Sequence, residues 1–284
     1  MRLVRRLAVS LVCLCLACGL SGCVESAGGP AAAPRPSFVR EEHPCAPMGQ
    51  MKADVGAVKK DLATLLSLTQ KGIQVDRLNF AYQGQTYEKY RIGVFPAVGV
   101  TDAGLVVADG VSLDFAELLD HPLELYTKGD QEYPVILKLH DVMSLSFHIF
   151  DKGLAICVFE ELAFIKKKEM EAALAAFQPL AAGYRALPAK PQIPEAQRKF
   201  IVQANSMTQQ KEYAKAMALY RKALDVDPAS FPAAYYNMAL IAAQQRNFFG
   251  AILNMQKYLL LVPDAEDART AQDKIYEWQA KVGE

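Results

Sequence analysis

A period of 35 residues in the last third of the chain constrains its fold more than any other feature. Across residues 197–265, small residues and prolines recur at this offset: Ala204 with Ala239, Ala216 with Ala251, and Pro228 with Pro263. Internal periods of about 20–50 residues are typical of arrays in which each repeat is one supersecondary unit. A closing proline cannot continue a helix, and alanines let paired helices approach closely. The period therefore predicts two stacked helical hairpins.

Aromatic residues beside the alanines suggest a family. The segments Tyr235–Ala239, Tyr213–Tyr220 and Ala223–Pro228 carry this pattern, and the stretch resembles the tetratricopeptide repeat, a hairpin of two antiparallel helices. It departs from the family at Gln203, where leucine is usual, and at Tyr258, where alanine is usual. The resemblance implies that residues 195–284 hold two such repeats and a C-terminal capping helix that begins after Asp264.

Repeats of this family bind other proteins in a concave groove lined by the first helix of each unit. Mapped onto this chain, the resemblance implies that the partner-binding residues are Arg198, Ile201, Asn205, Tyr236 and Leu240. Such a surface suits an extended or helical peptide, with Tyr236 as an amphipathic anchor and Asn205 bonding to the peptide backbone. We therefore expect another protein or peptide of the cell envelope as the partner. The alternative is that these residues form ordinary solvated helix surface.

The first 22 residues have the character of an export signal. Three arginines precede an apolar run, Leu7–Leu20, and the segment contains no acidic residue. A run of about 14 residues is shorter than the roughly 20 needed to span a bilayer, so a cleaved signal is favoured over a transmembrane helix.

Leu20-Ser21-Gly22-Cys23 resembles the lipobox of bacterial lipoproteins, in which the cysteine receives diacylglycerol. The resemblance implies cleavage before Cys23 and membrane attachment through its lipid. Val24, rather than aspartate, follows the cysteine, which by the same resemblance favours the outer membrane, facing the periplasm. The alternative is an ordinary signal peptide that contains a cysteine.

The mature chain divides by composition into a tether, a domain, a linker and the repeats. Residues 23–49 are rich in proline, glycine, alanine and serine and predict a flexible tether. Residues 50–186 predict an α+β domain of unknown family, and the three prolines of residues 187–194 predict a stiff linker. Within the domain we expect a strand at Leu145–Phe150, a turn, and a return strand at Leu154–Phe159 that completes a hairpin. A helix is expected to follow from about Glu160 to Ala186.

Export would leave Cys45 and Cys157 as the two free thiols, because the other four cysteines are in the signal or at the lipidation site. Two remaining cysteines in an oxidising compartment suggest a disulfide between them. The alternative is that Cys157 is a small buried hydrophobic residue in a strand.

Charge and motifs give little support to nucleic-acid binding or catalysis. Loss of the three signal arginines lowers the basic count from 31 to 28, against 31 acidic residues, so no nucleic-acid partner is expected. Glycine-rich phosphate loops, nucleophile elbows and zinc-protease motifs are lacking. The four histidines, His43, His121, His140 and His148, do not have metal-ligand spacing. We therefore expect no enzyme activity, cofactor or metal. The alternative is an envelope enzyme or cell-wall-binding protein whose activity lies in the α+β domain.

Overall fold

The computed structural model describes residues 45, 48–51, 53–69, 78–82, 85–90, 98–107, 111–125, 133–140, 143–149 and 151–282. The predicted signal, Cys23, His43 and nearly all of the predicted tether lie outside these residues. In the described part of the chain, the helices are α1 (Val55–Thr69), α2 (Lys152–Ala186), α3 (Glu195–Gln209), α4 (Tyr213–Val226), α5 (Ala233–Gln244), α6 (Phe248–Leu261) and α7 (Ala268–Val282).

The strands lie between α1 and α2, and all of their pairings are antiparallel. Two short 3-10 helices span Met48–Gln50 and Glu117–Asp120. The strands are β1 (Leu78–Tyr82), β2 (Gln85–Tyr90), β3 (Gly99–Val100), β4 (Gly104–Val107), β5 (Val111–Asp114), β6 (Leu123–Leu125), β7 (Tyr133–His140) and β8 (Met143–Ile149). They form a β1-β2 hairpin and two three-stranded sheets, β3-β4-β5 and β6-β7-β8. The fold is therefore a mainly helical α+β arrangement with small antiparallel sheets.

Helix α2 begins where a turn and a strand were expected. The side chain of Asp151 accepts a hydrogen bond from the Leu154 amide at 2.7 Å, and so caps the helix. The predicted strand Leu154–Phe159 was wrong: it forms the first turns of α2, and the hairpin is closed by β7 and β8 instead. A short apolar run does not by itself distinguish a strand from a buried helix, and here the aspartate cap decides. The helix buries Ala155, Val158 and Leu162, which are spaced for one face.

One hydrophobic core crosses the predicted linker. Residues 42–284 form a single compact unit, and its main core includes α1, α2, α5, α6 and α7. Phe177 of α2 packs edge-on against Tyr235 of α5, with ring centroids 5.3 Å apart. The ammonium group of Lys257, from α6, lies over both rings at 5.4 and 5.9 Å. Residues 187–194 therefore connect α2 to α3 without separating two cores.

The period of 35 residues recurs in the backbone. Lys211 and Arg246 are 35 positions apart, and each has a positive φ, 59° and 62°. Each lies at the turn of a helical hairpin, and the hydrogen bonds around it match. Glu212 N donates to Met207 O at 2.9 Å, and Asn247 N donates to Ala242 O at 2.8 Å. Both are the long bond of a Schellman motif, which ends a helix with a left-handed residue. The hairpins α3–α4 and α5–α6 therefore turn in the same way.

The small residues of the period are all buried. Their exposed fractions are 0%, as expected for contacts between closely packed helices: Ala204, Ala216, Ala239 and Ala251. Side-chain atoms beyond Cβ on any larger residue would separate the helix pairs, because interiors are packed without spare volume. The alanines thus hold α3 against α4 and α5 against α6.

Candidate functional site

The side chains of α3 and α5 that point to solvent form the first candidate site. Tyr220 of α4 is 1% exposed, but its hydroxyl reaches both helices. It donates to Asn205 Oδ1 at 2.6 Å and accepts from Asn237 Nδ2 at 3.0 Å. One buried hydroxyl therefore fixes an amide on each hairpin.

Two apolar side chains flank these amides. Val202 lies three residues before Asn205 on α3 and is 60% exposed, and Leu240 lies three residues after Asn237 on α5 and is 38% exposed. Residues three apart share a helix face. We refer to Arg198, Val202, Asn205, Asn237 and Leu240 as the α3–α5 face.

The five predicted partner-binding residues differ in how exposed they are. Arg198, Asn205 and Leu240 are exposed, whereas Ile201 is only 6% exposed. Its side chain is turned into the helix packing, and Val202 takes the surface position in its place. Of the three residues mapped on α3, Arg198 and Asn205 are therefore at the surface, and Val202 is exposed beside the buried Ile201. Exposed Val202 was missed, because a β-branched apolar residue beside an isoleucine reads as core from the sequence alone.

Tyr236, the predicted anchor, is half-buried. Its ring packs edge-on against Tyr258 of α6 at a centroid distance of 5.2 Å. The hydroxyl of Tyr258 donates to Asp267 Oδ1 at 2.5 Å, just before α7. Burial, and then the charge of Asp267, raise the pKa of Tyr236 above its ordinary value. Tyr236 therefore serves mainly to pack α5 on α6, with only part of its ring open to a partner.

A second polar cluster joins the strands to the helical hairpins. We call residues 115–124 the junction segment. Lys166 of α2 is fully buried, and its ammonium group donates to the carbonyls of Leu118 and His121. The aromatic ring of Phe249, from α6, lies 5.4 Å from the same ammonium group. Burial lowers the pKa of Lys166 to about 7, although the charge of Asp120 opposes this shift.

Three further contacts hold the junction segment against the hairpins. Arg221 of α4 pairs with Asp120 at 2.8 Å. Asn247, which caps α6, donates from Nδ2 to the Leu119 carbonyl at 2.8 Å. A Cβ on Gly250 would stand 2.8 Å from the same carbonyl, so only glycine lets α6 approach this closely.

The cysteine pair is joined in the structure. Cys45 and Cys157 form a disulfide with a Cα–Cα distance of 5.3 Å across 112 positions of sequence. Cys157 is buried in α2, not in a strand. Close by, the Met48 amide donates to Glu160 Oε2 at 2.6 Å. The last residues of the predicted tether are therefore attached to the first turns of α2.

His140 and His148 are not brought together. In the β7–β8 hairpin His140 pairs with Met143 at one end, and His148 pairs with Pro134 at the other. Pro134 and His140 are six positions apart on β7, or about 20 Å of strand. The part of the chain that the structure describes contains no group of three or more His, Cys, Asp or Glu residues that could hold a metal ion. Among the described helices, none is long and apolar enough to cross a bilayer.

No protein-family model, curated protein or solved structure matches this chain. The functional argument therefore depends on the residues and contacts described above.

A buried carboxyl between α1 and α2 makes stability depend on pH. Glu161 is 4% exposed, and its pKa is raised to about 9 by burial first, then by a hydrogen bond and the charge of Asp61. The folded protein therefore holds a proton that the unfolded chain, with a pKa near 4.5, has released. Stability is lost as the pH rises from the unfolded pKa towards the folded one, with a slope of at most about 1.4 kcal/mol per pH unit.

We predict that Glu161→Gln removes this slope and raises the free energy of unfolding above pH 6. Urea denaturation between pH 5 and 9 measures it, with Glu169→Gln on the same helix as the control. An equally steep loss of stability with pH in Glu161→Gln would contradict the assignment.

Proposed function

We propose that this chain is an exported lipoprotein, anchored through Cys23 at the outer membrane and facing the periplasm, which acts as a scaffold or assembly factor. We propose that it binds another envelope protein through the α3–α5 face. The observation that carries this proposal is the pair of oriented amides, Asn205 and Asn237, between exposed Val202 and Leu240. The buried hydroxyl of Tyr220 fixes the orientation of both amides at this face.

The finer assignment within this proposal is that residues 195–284 are two tetratricopeptide repeats and a capping helix. Three observations support it: the matching Schellman turns at Lys211 and Arg246, the buried alanines at the same offset, and a proline two residues after each second helix, at Pro228 and Pro263. Helix α7 buries Ala271, Ile275 and Trp278 and so covers the last hairpin, as a capping helix must in a stacked array.

The α3–α5 face fits a peptide with a free main chain. Because Tyr220 donates to Asn205 Oδ1, the amide NH2 of Asn205 is left to donate outward. Because Asn237 Nδ2 donates to Tyr220, the carbonyl oxygen of Asn237 is left to accept. A peptide main chain offers one acceptor and one donor at each residue, so it can satisfy both amides. Val202 and Leu240 would then contact its apolar side chains.

The proposed anchor is supported by the order of residues 1–23: a basic start, a short apolar run and Leu-Ser-Gly-Cys. More than one acyl chain is needed for stable attachment, which a lipid-modified N-terminal cysteine supplies. We predict that the chain takes up labelled fatty acid and sediments with the membranes. The Cys23→Ala variant should be unlabelled. Label that persists in this variant would contradict the anchor.

The binding face can be tested by site-specific photo-crosslinking in the natural host, with the full-length chain. We predict that a photoreactive residue at position 202 or at position 240 gives an adduct with the same partner, because both positions flank one bound peptide. The matched control is position 226. Val226 is also an exposed apolar residue, at 41%, but it lies at the end of α4.

Three results would contradict the proposed face. These are the absence of an adduct from positions 202 and 240, different partners at the two positions, or an equally strong adduct from position 226. The Tyr220→Phe variant gives a second test of the face, because it removes the hydroxyl without changing the ring. We expect the adduct at position 202 to fall several-fold while the melting temperature changes by only a few degrees.

A further inference from the structure

The α3–α5 face has an uneven distribution of charge. Helix α5 contains no charged residue, whereas α3 contains three, Glu195, Arg198 and Lys199, all near its start. Glu195 is in the first turn, where its carboxylate complements the partial positive charge of a helix N-terminus. Arg198 belongs to the face itself, four residues before Val202 and about 6 Å from it along the helix axis. One end of the face therefore carries a cation.

The guanidinium group of Arg198 is available to a partner. Its side chain is exposed, and within the part of the chain that the structure describes it forms no ion pair. Its backbone N–H donates to the Pro194 carbonyl at 2.9 Å. By contrast, Arg221 of α4 is paired with Asp120 at 2.8 Å. An arginine holds its N–H donors in a fixed fork that matches the two oxygens of a carboxylate. The complement of Arg198 is therefore a carboxylate from another molecule.

A negative charge lies on the side of α5 that packs on α6. Asp267 accepts a hydrogen bond from the Tyr258 hydroxyl at 2.5 Å, and the ring of Tyr258 packs against that of Tyr236. Asp267 is close enough to Tyr236 for its charge to contribute to the rise in the pKa of that tyrosine. A carboxylate on a bound peptide is therefore repelled near Tyr236 and attracted towards Arg198.

The two amides of the face require a partner with an extended main chain. In a helical partner the backbone N–H and C=O groups bond to one another, so they cannot bond to the outward amide groups of Asn205 and Asn237. An extended segment keeps these groups free and presents alternate side chains to the face. The face therefore suits a loop or an unfolded segment of the partner better than a surface helix.

We propose that the partner segment is extended and acidic, with an aspartate or glutamate side chain that pairs with Arg198 beside an apolar side chain that contacts Val202. This inference rests on the proposed function of the α3–α5 face, and it specifies the class of peptide that the face selects. Arg198 is then the residue that determines specificity, whereas the amides and the apolar residues bind any extended segment.

Selection from a random peptide library tests this inference. Peptides displayed with their C-termini joined to the carrier protein are selected on the immobilised mature chain and on its Arg198→Glu variant. We expect the mature chain to enrich aspartate or glutamate beside an apolar residue, and Arg198→Glu to enrich lysine or arginine there instead. The matched control is Lys199→Glu, which changes the net charge equally. Adjacent residues do not share a helix face, so this control should select the acidic peptides.

A double-substitution cycle distinguishes a direct ion pair from a general effect of charge. One selected peptide is synthesised with blocked ends, together with a match in which the acidic residue is replaced by its amide. We expect Arg198→Ala and the amide peptide each to weaken binding about three- to fivefold, as is typical of an exposed ion pair, and the two changes together to weaken it no further. A merely structural role for Arg198 predicts an equal loss with both peptides.

Failure of this inference and failure of the proposed face give different results. The inference is overturned, and the face remains, if the selected peptides show no acidic preference, if Arg198→Glu selects the same peptides, or if acidic peptides are selected only from a second library with free C-termini. The proposed face fails together with the inference if no peptide is selected, or if the selected peptides bind equally well after Val202→Ser and Leu240→Ser are combined.

Discussion

The ammonium group of Lys166 is buried where the strands meet the helical hairpins, and the arrangement of the whole chain depends on what it bonds. It comes from the middle of the longest helix and donates to two carbonyls of the junction segment, those of Leu118 and His121. Those carbonyls lie at the end of a short 3-10 helix, where the Leu118 carbonyl also accepts from the His121 amide at 3.1 Å. Hydrogen bonds from a charged donor contribute about 1.5–3 kcal/mol each, so the lysine holds the segment firmly against α2.

This contact determines which surfaces remain for a partner. With the junction segment held, α6 lies against both α2 and the segment. Helices α3 and α5 keep their outer residues in solvent, including Val202 and Leu240. The disulfide between Cys45 and Cys157 attaches the end of the proposed tether to the start of α2. The end of the proposed tether is therefore joined to the helix that also packs on α6.

The sequence predicted the parts of the fold that repeat and missed those that depend on distant contacts. The offset of 35 residues was visible in alanines and prolines of the sequence. In the structure the same offset separates the matching turns at Lys211 and Arg246. The apolar run after Asp151 could be a strand or a helix, and only the cap in three dimensions separates the two. Lys166 begins a run of three lysines, which reads as a solvated face, because its carbonyl partners lie 45 and 48 residues away. No neighbouring residues in the sequence indicate that Glu124 is buried or that Val202 is exposed.

The most direct test of this account is native-state hydrogen exchange on the mature chain and its Lys166→Met variant. If the junction segment makes the strands and the hairpins one unit, the substitution removes both hydrogen bonds of the lysine and lowers protection on both sides. The account predicts that the free energy of opening, measured at the amides of β7 and of α5, falls by the same amount at both, about 2–4 kcal/mol. Lys168→Met, at an exposed position of the same helix, should leave both unchanged. Loss of protection in β7 alone, with α5 as protected as before, would contradict the account.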